Sequence, residues 1–149
     1  MGMKSSLILG ILGLIPFFVI AISCFIVPPE QDVYNLLIFI FLSYAAIISS
    51  FLGGIQWGLI TAASDKLYHV FFPLLISTLP ALVAWAALLL LGTSLKISLI
   101  LVISSFICSS IHDYFLYTSK VTPYWFLNIR VPLTIAVILL SGIMYIFIS

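Results

Sequence analysis

The chain has 149 residues, of which 64% are hydrophobic and only 6% charged, with a formal net charge of +1. An ordinary soluble domain carries roughly 25% charged residues, so water is not the solvent of this fold. The near-neutral balance and the lack of a basic stripe exclude nucleic acid as a partner.

A span needs about 20 apolar residues to cross the hydrocarbon, and unpaired backbone groups are intolerable there, so each long apolar run must be a helix. Five such runs occur, at 6–27, 34–63, 67–91, 95–117 and 132–148. They predict an all-α, polytopic membrane protein: one helical domain, 1–149, built as a bundle of five transmembrane helices.

The first run follows Lys4 and resembles a secretory signal, with Ala21, Ile22, Ser23 and Cys24 as an imperfect cleavage box. Its apolar length exceeds the roughly 7 to 15 residues of a signal core, so an uncleaved first span is expected. Met1, Gly2 and Ser6 also fit a loose myristoylation pattern, which is read as chance because one acyl chain adds little to five spans. Pro16 falls near the middle of this run. Pro28 and Pro29 stop it, and Glu30, Gln31 and Asp32 form an acidic turn before the second run.

In the second run Ala46, Ser50, Gly54, Gly58 and Ala62 recur every four residues, with Ala45, Ser49 and Gly53 widening the row. Such a ridge of small residues admits another helix at backbone contact, and packing within the chain is the expected use of Ser50, Gly53, Gly54 and Gly58. A bend at Gly53-Gly54 that exposes carbonyl groups is the functional alternative.

Ser64, Asp65 and Lys66 form a tight link in which Ser64 or Asp65 can cap the third helix. Pro73 and Pro80 lie in that helix, Gly92 suits its end, and Thr93 or Ser94 can cap the fourth. Pro16 and Pro80 sit near mid-membrane, where each frees a carbonyl and can open space between helices. The one long connection, 118–131, carries Pro123, Tyr124, Trp125 and Phe126, aromatic residues expected at the headgroup level. Pro132 then fits the first turn of the fifth helix. The two cysteines, Cys24 and Cys108, differ in depth by roughly 10 Å at 1.5 Å per residue, so they are read as small hydrophobes and not as a disulfide.

The segment Ser50-Phe51-Leu52-Gly53-Gly54-Ile55-Gln56-Trp57-Gly58 resembles the domain of unknown function 3429 family, the transmembrane protein 69-like small membrane proteins. Further matches follow in order: Gly13-Leu14-Ile15-Pro16-Phe17, Pro80-Ala81-Leu82-Val83-Ala84-Trp85, and Trp125 with Arg130, Leu133 and Thr134. The resemblance covers most of the chain and implies a multi-span bundle, with no established activity. One departure lies in its core: where the family commonly has His before the Trp, this chain has Gln56. That removes a proton carrier or metal ligand from the position and leaves a hydrogen-bonding group.

Orientation follows from the basic residues. Lys4, Lys66, Lys120 and Arg130 fall on one side and only Lys96 on the other, which puts the amino terminus inside and the carboxyl terminus outside. Asp113 near the end of the fourth helix and Arg130 before the fifth then share the inner face, and Gln56 and Trp57 lie about two turns above the inner end of the second. An aspartate in a span costs about 2.5 to 3.5 kcal/mol at the centre and less near the ends, so Asp113 is expected to pair with Arg130. Gln56, Trp57, Asp113 and Arg130 are the candidate polar cluster. It reads either as a lock between helices or as the floor of a pocket for a polar or anionic headgroup.

His69 and His112 could in principle hold a haem, but neither has a supporting ligand at helical spacing, so interfacial or hydrogen-bonded histidines are expected. No catalytic or phosphate-cradling motif appears, and no metal, cofactor or enzymatic activity is expected. Two functional classes compete. The favoured one is a non-enzymatic factor that assembles or stabilises partner membrane proteins; the other is a lipid or small-molecule binder or transporter built around the polar corner. The expected partners are membrane lipid and a membrane protein or a second copy, in a bacterial or mitochondrial inner membrane.

Overall fold

The computed structural model describes residues 2–28 and 31–147. Its elements are α1 (Gly2–Ile26), α2 (Asp32–Ala62), a single 3₁₀ turn (Ser64–Lys66), α3 (Phe71–Leu89), α4 (Leu95–Thr118) and α5 (Tyr124–Phe147). All five α-helices are long and apolar enough to cross a membrane. Pro29, Glu30 and Ile148, expected in the first turn and at the end of the fifth span, lie outside the described residues.

Helices α2 and α4 form the centre. In each, 39% of the most apolar stretch is buried inside the bundle, against 17% in α1, which therefore lies at the periphery. Helix α2 packs against α1, α3 and α4, and α4 packs against α2, α3 and α5. Phe17 anchors α1 to this centre. Its ring meets Phe41, Tyr44 and Phe106 edge to face, at centroid distances of 5.3, 4.9 and 6.3 Å, a favoured aromatic geometry. Pro16 denies a donor to the Leu12 carbonyl, and at the adjacent Gly13 the carbonyl accepts a hydrogen bond from the Tyr44 hydroxyl at 2.9 Å.

Three element boundaries differ from expectation. The fifth helix begins at Tyr124, eight residues before Pro132, so Tyr124, Trp125, Phe126 and Arg130 are helical. Pro132 lies well inside α5, where it removes one backbone bond and does not mark the first turn. The stop signal is instead at the end of α4: Lys120 adopts φ 58, and the amides of Lys120 and Val121 bond back to the carbonyls of Tyr117 and Leu116. That is a Schellman closure with lysine in the left-handed position usually given to glycine. It compresses the connection to a few residues, with Pro123 just ahead of the new helix.

The third helix begins at Phe71 and not at position 67, because Ser64–Lys66 close a 3₁₀ turn and Leu67 is extended; neither Ser64 nor Asp65 caps α3. Pro73 then falls in the first turn, where its missing donor costs nothing. Helix α3 ends at Leu89, so Gly92 lies in the following turn, while Ser94 caps α4 by accepting from the Ile97 amide at 3.4 Å.

The small-residue ridge is also shifted by one residue. Ser50, Gly54 and Gly58 are exposed on the outside of the bundle, and a β-carbon at Gly54 or Gly58 would meet nothing. The row that touches another helix is Ala45, Ser49 and Gly53: all three are buried, and a β-carbon on Gly53 would run into the Ser77 carbonyl of α3. A one-residue step turns a side chain by about 100° around the helix, so two adjacent rows of small residues face different surroundings. Ser77 lies in the turn opened by Pro80, whose ring cannot donate to the Ile76 carbonyl.

Gly53→Ala should therefore lower thermal stability in detergent, by about 1–3 kcal/mol or more because the obstacle is backbone. Gly54→Ala should be neutral or slightly stabilising, as expected of Gly→Ala in an open helical position. Comparing the two melting curves checks which row carries the contact.

Candidate functional site

Along α4 the buried positions are Ser98, Leu99, Val102, Ser105, Phe106, Ser109, His112, Asp113 and Leu116. Their spacing of three and four residues is the stripe by which one helix face meets its neighbours. Its polar members each find a partner on another helix. The Ser98 hydroxyl donates to the Ala87 carbonyl of α3 at 2.7 Å, and the Ser49 and Ser105 hydroxyls of α2 and α4 pair at 2.8 Å. Nearer the end of α4 the stripe opens into a larger network.

Asp113 is 1% exposed and Arg130 7%, and the Arg130 Nε donates to Asp113 Oδ2 at 2.8 Å. The other carboxylate oxygen, Oδ1, accepts from Gln56 Nε2 at 2.7 Å. The same amide nitrogen donates to the Ser109 carbonyl at 2.9 Å and approaches the Ser109 hydroxyl at 3.2 Å. Arg130 Nη2 donates to that hydroxyl at 3.2 Å. Gln56 Oε1 lies 3.1 Å from His112 Nδ1. Helices α2, α4 and α5 are thus joined at one point by one amide, one carboxylate and one guanidinium.

The protonation pattern follows from donor and acceptor counting. A carboxylate paired with arginine can only accept, so the amide group of Gln56 must face Asp113 and its carbonyl must face His112. His112 Nδ1 therefore carries a hydrogen and donates, and in the neutral imidazole Nε2 is then the acceptor. That Nε2 is buried and has no hydrogen-bond partner among the described residues.

Of the expected cluster, the structure brings together Gln56, Asp113 and Arg130. Trp57 is not part of it: it is 46% exposed and points out of the bundle, one helical step from Gln56. Sequence reasoning passed over Ser109, and the histidines are as expected, one exposed and one hydrogen-bonded. His69 lies in the connection before α3, exposed and edge-on to Tyr68, whereas His112 is buried against Gln56. The signal was available: the serine spacing 98, 105, 109 continues to Asp113, and α4 has the lowest mean hydropathy of the five spans, 1.8. Both cysteines are free, and among the described residues no group of three or more His, Cys, Asp or Glu could hold a metal ion.

Beside the network lies a cavity of about 670 Å³ between α1, α2 and α5, with Phe106 of α4 at its back. Its lining is apolar apart from Arg130 and Thr134, one turn apart on α5, and Ser6 of α1. Trp125 and Phe126 also line it. The Thr134 hydroxyl is buried and unpartnered, and Arg130 Nη1 makes no hydrogen bond to a described residue.

The fold and this centre define a multi-span helical membrane protein with a buried charged network beside a largely apolar cavity. The model of the family described as protein of unknown function DUF3429 matches residues 3–146, and the chain belongs to that family. It is 31% identical over 135 residues to Transmembrane protein 69 of Xenopus tropicalis, an alignment covering 91% of this chain and 51% of that protein. The chain spans about half the length of the curated relative it matches. No solved structure shows a significant match.

Removing one member of a buried ion pair leaves the other charge uncompensated, at a cost of about 3–5 kcal/mol. Asp113→Asn and Arg130→Gln should each lower detergent stability strongly, and the double variant should recover at least about 1 kcal/mol relative to the sum of the two losses. Equilibrium or thermal unfolding of the four proteins in one detergent reads the coupling; strictly additive losses would contradict it.

Proposed function

We propose that this chain is a non-enzymatic membrane protein that holds a bilayer amphiphile in the cavity between α1, α2 and α5. The observation that carries the reading is an apolar cavity in which Arg130 and Thr134, one turn apart on α5, are among the few polar lining groups. Its volume lies in the range of about 300–1,000 Å³ usual for ligand sites, and its apolar walls converge on a few polar groups. Arg130 has its charge offset by Asp113, yet it retains N–H groups without a partner among the described residues. These groups, with the Thr134 hydroxyl, suit an acceptor headgroup such as an ester, carbonyl or phosphoryl oxygen, while the acyl or isoprenoid part runs along Gly13, Leu52 and Val137.

A variant that fills the cavity without disturbing the network tests this. A β-carbon on Gly13 would meet nothing within 4 Å, and Gly13 lines the cavity. Gly13→Leu should reduce co-purified lipid severalfold in native mass spectrometry while leaving thermal stability equal or higher. Unchanged lipid occupancy in Gly13→Leu would contradict the reading.

A second reading, a factor that assembles or stabilises partner membrane proteins, is favoured by the outward row Ser50, Gly54, Gly58 and Ala62. These small residues are exposed on a membrane-spanning helix and would admit a partner helix at close range. Gly54→Leu would then abolish co-purification of a protein partner and leave lipid occupancy unchanged, the reverse of Gly13→Leu.

The amino terminus is placed inside, in a bacterial or mitochondrial inner membrane, with Arg130 at the inner face. The support is the four-to-one excess of basic residues on that side. Reporter fusions after Lys66 and Lys120 should read as inside and a fusion after Gly92 as outside; the opposite pattern would invert the topology.

A further inference from the structure

A second groove, of about 500 Å³, runs between α3 and α4 on the other side of the network, open to the outside of the bundle. It is lined by Phe72, Pro73, Ile76, Ile107, Ile111 and Phe115, with Ser104, Cys108 and His112 as its polar or sulfur-bearing members. The Ser104 hydroxyl is engaged by the Ile100 carbonyl at 2.8 Å, and a thiol is a weak hydrogen-bonding group. His112 is different. It is 3% exposed, its Nδ1–H is committed to Gln56, and its Nε2 is a buried acceptor without a partner among the described residues.

An unmet acceptor in an apolar surrounding costs free energy unless a ligand supplies a donor. From the lone acceptor and the apolar walls, we propose that the α3/α4 groove binds an apolar bilayer molecule carrying one hydroxyl, whose hydrogen is donated to His112 Nε2. The Gln56–Asp113–Arg130 network fixes the tautomer that makes this possible. The Phe115 ring, stacked on the imidazole at a centroid distance of 6.1 Å and 46% exposed, is the side chain that yields to admit the hydroxyl. Sterols and long-chain alcohols share this chemistry. The site is independent of the α1/α2/α5 cavity and stands whether or not that cavity holds a lipid.

The test uses the full chain with His69→Gln, so that His112 is the one remaining imidazole, labelled with ¹⁵N-histidine in phosphatidylcholine nanodiscs. Without added probe, Nε2 should show the resonance of an unprotonated nitrogen. Adding 1-naphthol should shift that resonance in a saturable way, with half-saturation about tenfold below that of any change caused by 1-methylnaphthalene, the gain from one hydrogen bond in a dry site. Ile76→Trp, which fills the groove from α3, should abolish the 1-naphthol response while Nε2 stays unprotonated in the free protein. Repeating the titration with cholesterol and with 1-dodecanol then distinguishes the sources. A protonated Nε2 in the free protein, equal responses to the two naphthalenes, or a 1-naphthol response that survives Ile76→Trp would each overturn the proposal.

Discussion

The side chain of Gln56 is the joint on which the bundle depends. Its amide donates to Asp113 and Ser109 while its carbonyl accepts from His112, so one residue of α2 satisfies polar groups that α4 could not otherwise bury. In a membrane interior each such group left alone costs free energy, whereas apolar contacts between helices gain little over contacts with lipid tails. Polar complementarity at this point therefore supplies the register between α2 and α4. Arg130 extends it to α5, and the close approach at Gly53 extends it to α3.

The position demands two donated hydrogens, toward Asp113 and Ser109, and one acceptor toward His112. A primary amide supplies all three and stays neutral, whereas a neutral imidazole has one N–H. Here the position can only relay hydrogen-bond direction: it takes the fixed charge of Asp113 on one side and presents a fixed tautomer of His112 on the other. The consequence is a bundle whose two grooves, one beside Arg130 and one beside His112, border opposite ends of a single network.

Much of this was legible in the sequence because membrane physics is coarse. Five apolar runs had to be helices, and Asp113 and Arg130 were opposite charges placed at one depth. What sequence could not resolve was rotation about each helix axis. Gly53 and Gly54 are equally small, and only the position of Ser77 decides which of them meets α3. Gln56 and Trp57 are neighbours in the chain but face inward and outward. The start of α5 was hidden for a different reason: Lys120 in the left-handed region closes α4 where no glycine marks the stop, so the aromatic residues after Pro123 read as a loop. A hydrogen-bonded His112 was legible, but its partner Gln56 lies on another helix, beyond the reach of local spacing.

The most direct test of the central network exploits the composition, since Arg130 is the sole arginine and Asp113 one of three aspartates. With uniformly ¹⁵N-labelled arginine and ¹³Cγ-labelled aspartate in lipid bilayers, a solid-state dipolar recoupling experiment measures the distance from the one arginine Nε to the nearest aspartate carboxylate. The account predicts a strong coupling, consistent with Nε and Oδ2 2.8 Å apart, that disappears in Asp113→Asn. Absence of that coupling in the unmodified chain, or its persistence in Asp113→Asn, would contradict it.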